Sequence, residues 1–152
     1  MRYSERFKIG AVVAAVIVAA CIGLFPMSCA TVAPGNDPVL VNAERDLNLA
    51  VKSLDAVFKT DYQNWQVIDP AIPGWKAAVN ALRVASPPVI DAANGSIKAY
   101  RTALAIHRVD PEQVTQEQLN ALGTELGKRI VEAVNLGKKA AEIIAQWTGG
   151  GK

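Results

Sequence analysis

From Thr115 to Trp147 the apolar residues return at three- and four-residue steps. Leu119, Leu122, Leu126, Ile130, Val134, Ala141 and Ile144 share one face, and Glu117, Glu125, Lys128, Glu132, Lys139 and Glu142 share the other. A pleated strand would scatter these leucines onto both of its sides, because its side chains alternate with a period of two. The stretch is therefore a long amphipathic helix, opened by Thr115 and Gln118 at capping-box spacing. A helix of this length buries its stripe only against partners of similar length. No other part of the chain alternates like a strand, so the predicted fold is all-α. It is an up-and-down bundle of three long helices plus one short helix, preceded by a signal or anchor helix.

The remaining helices follow from caps and breakers. Asp37 is placed as an N-cap with Pro38 at the first helical position. The first helix is predicted to run to about Trp65, burying Leu47, Val51, Leu54, Phe58, Tyr62 and Trp65, with Asp55 and Lys59 spaced for an i,i+4 ion pair. Asp69-Pro70-Ala71-Ile72-Pro73-Gly74 reads as a connector, since each proline removes a donor and disfavours helix in the residue before it. Trp75, Val79 and Leu82 begin the short helix to Ala85. Ser86-Pro87-Pro88 then restarts the chain or kinks it strongly. Ile90, Ala93, Ile97, Tyr100 and Leu104 keep their register through Asn94-Gly95, so the third stretch is read as continuous until Val109-Asp110-Pro111-Glu112 turns it. Gly123, Gly127 and Gly137 overlap the apolar face of the last helix, which calls for a close neighbour, with the tryptophans and Phe58 as candidates. Gly123-x-x-x-Gly127 also has the spacing of a membrane dimerisation motif, but Glu125 and Lys128 deny it an apolar setting.

The N-terminal part has a different grammar. Arg2, Arg6 and Lys8 precede an uncharged run from Ile9 to Asn36 that is almost wholly apolar as far as Phe25. Basic residues ahead of such a run keep the N-terminus in the cytoplasm and direct the rest across the membrane. The only cysteines, Cys21 and Cys29, lie in or just after it, so the body beyond can form no internal disulfide. Pro26-Met27-Ser28-Cys29 resembles a bacterial lipoprotein signal, in which a cysteine after small residues is acylated and becomes the mature N-terminus. Val18-Ala19-Ala20-Cys21 competes with it but would leave Ile22 to Met27 as an apolar start, so Cys29 is the preferred lipidation site. Ordinary cleavage and retention as a membrane anchor stay open. Cys29-Ala30-Thr31-Val32, leading into Asp37-Pro38-Val39-Leu40-Val41-Asn42-Ala43-Glu44, is similar to the start of small helical lipoproteins of bacteria and their phages. That resemblance carries no known activity. The expected organisation is a signal peptide or anchor at 1–28, a flexible tether at 29–37, the bundle at 38–148 and a disordered tail at 149–152.

Chemistry is sparse in the body of the chain. The three basic residues and Glu5 of the leader account for the whole formal charge of +2, so the remainder is neutral and offers no nucleic-acid footprint. His107, the single histidine, falls near a helix C-terminus, where the dipole favours it, and has no cysteine to share a metal with. There is no Gly-x-Ser-x-Gly, no phosphate loop and no Cys-x-x-Cys-His. No catalytic residue, metal ligand or cofactor is assigned. Trp65 and Trp75 bracket the proline connector and could line an apolar pocket, although core packing is the plainer role for each. The expected function is that of a non-enzymatic binding or structural module of the bacterial cell envelope. It would lie outside the cytoplasm, attached to membrane lipid through its N-terminus and contacting an unknown envelope protein. With Ala30 after the cysteine, the resemblance implies the outer membrane where the host has one. The alternative is a phage-encoded accessory lipoprotein acting in lysis or superinfection exclusion.

Overall fold

A computed structural model describes residues 37–149, with side chains as far as Trp147. The signal or anchor helix at 1–28, both cysteines, and the tether before Asp37 lie outside the described residues. So does the tail beyond Gly149.

The described chain is three long helices and no strand: α1 (Pro38–Ala71), α2 (Trp75–Val109) and α3 (Gln116–Gly149). At about 1.5 Å per residue each is roughly 50 Å long. Their pairing is up-down-up. Tyr100 bonds Asp37 and Arg83 bonds Asp61, which sets α1 against an antiparallel α2. The backbone of Ala50 meets Gly137, so α3 runs alongside α1 in the same sense. Two apolar clusters stack along the axis. One joins Leu47, Ala93, Ile97, Leu126 and Ala133, and the other joins Val57, Ile68, Trp75, Val79 and Ala140. Much of the seam is alanine, which lets these helices approach closely.

The helix starts follow their sequence signals. The Oδ1 of Asp37 accepts from the N–H groups of Val39 and Leu40 at 2.9 and 3.1 Å. Both arms of the capping box at α3 form: Thr115 N–H donates to Gln118 Oε1 at 2.8 Å, and Gln118 N–H donates to Thr115 Oγ1 at 3.3 Å. Between α2 and α3 the Asp110 carboxylate accepts from the N–H groups of Glu112 and Gln113, an Asx-type turn.

Pro70 and the Pro87-Pro88 pair do not end the helices, whereas Pro73 and Pro111 do fall in the two turns. α1 continues past Trp65 and through Pro70 to Ala71, where Ile72 N–H closes onto the Ile68 carbonyl at 2.8 Å. Fully buried Ile68 fastens this last turn to the core. The connector shrinks to Ile72, Pro73 and Gly74, the glycine taking φ of 88°, in the left-handed region. Nor is Trp75 to Ala85 a separate short helix, because α2 runs unbroken through Ser86-Pro87-Pro88. An interior proline costs about 3 kcal/mol, but Leu82 and Ser86 before the pair and Ala93 after it are all buried, so packing on both sides holds the axis.

The burial of α1 also departs from the expected stripe. Leu47 and Leu54 are buried, Val51 and Phe58 only partly, and Tyr62 and Trp65 lie outside. The true seam is Ala43, Leu47, Ala50, Leu54, Val57, Asp61 and Ile68. Ala43, Ala50 and Asp61 interrupt its aliphatic residues and carry little apolar signal, so the aromatics Tyr62 and Trp65 drew the predicted face round the helix. The expected Asp55–Lys59 pair is not among the ion pairs of the described residues. Of the three glycines on α3, Gly123 faces the Tyr100 ring and Gly137 the Ala50 backbone, rather than a tryptophan or Phe58. Gly127 is exposed, with open space where a Cβ would stand.

Candidate functional site

The favoured lipidation residue Cys29 and its competitor Cys21 lie outside the described residues. The two tryptophans named from the sequence are treated very differently. Trp75 is 2% exposed and packs in the second apolar cluster, its Nε1–H donating to Asp61 Oδ1 at 2.8 Å. Trp65 is 51% exposed and belongs to neither cluster. Neither ring lines either of two surface grooves. One, of about 310 Å³, lies between Ala78, Ala81 and Ala85 of α2 and Leu136 and Ile143 of α3. The other, of about 360 Å³, lies between Asp37 and Glu44 of α1 and Arg101 and Arg108 of α2.

Where Trp75 and Asp61 meet, the bundle has its most concentrated side-chain chemistry. Asp61 is 8% exposed and accepts twice, from the Trp75 indole and from Arg83 Nη2 at 2.6 Å. Arg83 Nη1 donates to Asn80 Oδ1 at 3.1 Å, and its guanidinium carbon lies 5.5 Å from the centre of the Phe58 ring. The carboxylate thus holds an arginine over a half-buried aromatic ring. One heptad along each helix, Lys76 Nζ stands 5.9 Å from the Trp65 ring centre. Tyr62, 83% exposed, lies between Phe58 and Trp65 along α1. Together these side chains form a ledge of rings and cations along the open side of the α1–α2 hairpin.

At the opposite end Asp37 does more than cap α1. Its Oδ2 accepts from the Tyr100 hydroxyl at 3.3 Å, and Tyr100 in turn covers Gly123 of α3, so one tyrosine ties the start of the described chain to both other helices. Burial, and then the neighbouring Asp37 carboxylate, push the Tyr100 hydroxyl above its ordinary pKa. Glu44 and Arg101 pair across the same helices. His107 occupies the last turn of α2, where its Nδ1–H donates to the Val114 carbonyl at 2.7 Å and pins the turn into α3.

Among the described residues no group of three His, Cys, Asp or Glu side chains could hold a metal ion. No buried side-chain polar atom there lacks a partner. No described helix is long and apolar enough to cross a membrane. The sequence carried no signal for Asp61 as a core residue. The placement of Arg83 and Lys76 was equally hidden, since it depends on the register between two helices. Protein-family models, curated proteins and solved structures all return no match to this chain.

Proposed function

We propose that this chain is a lipoprotein of the bacterial envelope whose helical bundle serves as a non-enzymatic binding or structural module outside the cytoplasm. The observation that carries the reading is in the leader: basic residues, an uncharged apolar run, and Cys29 following Pro26-Met27-Ser28. The arrangement of the bundle supports it. The helical body begins with a doubly anchored cap at Asp37, a short tether beyond Cys29, so a lipid at that cysteine would hold a rigid rod close to the membrane at one end. The distinctive side chains gather on an exposed ledge, which suits contact with a large partner better than enclosure of a small substrate.

Two or three acyl chains at Cys29 would make attachment firm, each buried methylene adding about 0.8 kcal/mol. The test is metabolic labelling with a fatty-acid analogue in wild type, Cys29→Ser and Cys21→Ser. Label is expected to vanish only with Cys29→Ser, with precursor accumulating. Label lost only with Cys21→Ser would move the anchor into the apolar run, and full-length unlabelled protein in all three would make the segment a retained anchor.

A further inference from the structure

The core is interrupted on all three helices where its two clusters meet. On α1 the first cluster ends at Ala50 and the second takes up at Leu54; on α2 the second ends at Leu82 and the first takes up at Ala93; on α3 the change falls between Ala133 and Ala140. Within each of those gaps one residue is buried, and none of the three has an apolar side chain: Ser53 on α1, Ser86 on α2 and Gly137 on α3. Half-buried Ile90 alone among the described residues packs against both clusters.

The backbone is weakest in the same gaps. Ser53 Oγ–H donates to the Leu49 carbonyl at 3.1 Å, a back-bond that competes with the ladder of α1. Pro87 and Pro88 have no N–H, so the Arg83 and Val84 carbonyls lose their ladder donors in the middle of α2. Gly137 meets the Ala50 backbone with no side chain to interlock there. A cooperative unit is held by contiguous buried apolar contact and unbroken ladders, and both lapse here. The two sides of this waist are unequally fastened. The Asp37 cap, the Thr115–Gln118 capping box and the His107–Val114 bond all lie on the side of the first cluster, whereas α2 starts on the other side at Gly74 with no side-chain cap. The first cluster also buries twelve residues and the second eight.

We propose that the waist divides the bundle into two cooperative units, and that the half around Trp75 opens as one body while the half around Tyr100 stays folded. Closed, the three helices run through the waist unbroken. Opened, the α1–α2 hairpin parts from the second half of α3, Val57, Ile68 and Ile144 meet water, and Asp61 loses the Trp75 indole. The opening needs no lipid at Cys29, so it stands apart from the envelope reading.

The experiment is native-state hydrogen exchange of the full-length protein in detergent, read peptide by peptide by mass spectrometry at low urea. Amides from 54–82 and 140–147 are expected to share one level of protection, at least about tenfold below that of 43–50, 93–104 and 119–133. The change from one level to the other should fall within the three gaps. Two substitutions test the order of opening. Gly95→Ala, at an exposed position beside the first cluster with open space for its Cβ, should slow the protected group by about fivefold, the factor helix propensity carries, and leave the fast group unchanged. Trp75→Phe, inside the second cluster, should speed both groups by one common factor, because the protected group exchanges only after the other half has opened. A single level of protection throughout the wild type overturns the proposal, as does lower protection in the half around Tyr100. Gly95→Ala slowing both groups alike also overturns it, since the bundle would then open only as a whole.

Discussion

Trp75 and Trp65 carry the same indole and meet opposite fates, because one has a buried acceptor and the other does not. Burying an indole N–H without a partner costs about 1–3 kcal/mol, and Asp61 removes that cost for Trp75 while Arg83 neutralises the carboxylate. Trp75→Phe should therefore destabilise the fold by about 1–3 kcal/mol, measured by urea unfolding, since it strips a bond from a nearly buried carboxylate as well as removing volume. The glycines separate in the same manner. A Cβ at Gly137 would stand 2.8 Å from the Ala50 Cα, a backbone atom that cannot swing aside, whereas one at Gly95 meets nothing within 4 Å on an exposed helix face. Gly137→Ala should lower stability by about 1–3 kcal/mol through overpacking, and Gly95→Ala should raise it by about 1 kcal/mol through helix propensity. Equal shifts in melting temperature would contradict the packing of α1 on α3. Tyr100 adds a pH dependence. Its pKa is raised in the folded state, so its contribution is complete below the ordinary tyrosine value and is lost as pH climbs through the folded value. Tyr100→Phe should flatten the alkaline fall in stability relative to wild type and leave the slope near neutrality unchanged.

At the scale of the helices, true caps and the Val109–Glu112 turn were legible in the sequence, but the breaks read at Asp69-Pro70 and at Ser86-Pro87-Pro88 were not breaks. Caps are local: Asp37, and Thr115 with Gln118, need only residues within one turn, and all three bond as their spacing predicts. Proline stops are local preferences that tertiary burial can override, and it does so at Pro70 and again at Pro87 and Pro88. Pro87 is exposed, and its ring removes the donor that would reach the Arg83 carbonyl. If α2 is continuous there, Pro87→Ala restores that bond and should raise the unfolding midpoint, by at most about 3 kcal/mol. A fall would show that the helix has settled around the ring. The last helix was read almost whole, with Leu119, Leu126, Ile130, Ala141 and Ile144 all buried, because its core positions are large and aliphatic. The second half of α1 was misread because buried Asp61 interrupts its core positions between Val57 and Ile68, while Tyr62 and Trp65 beside them belong to the surface.

For the whole molecule, the helical class follows from periodicity alone, but the ledge does not. It exists only because α1 and α2 pair in the register that puts Arg83 on Phe58 and Lys76 on Trp65, a relation between residues that no local pattern contains. The bundle places this surface at one end and the Asp37 junction at the other, so an anchor at Cys29 and a partner at the ledge would be held apart along the length of a rod. That arrangement depends on where the mature chain begins. The decisive measurement is the intact mass of the protein purified from its native membrane. The account predicts a chain starting at Cys29 and heavier than that polypeptide by a diacylglyceryl group, with or without a further acyl chain on the amino group. An unmodified mass corresponding to a start at Met1, or at any residue other than Cys29, would contradict it.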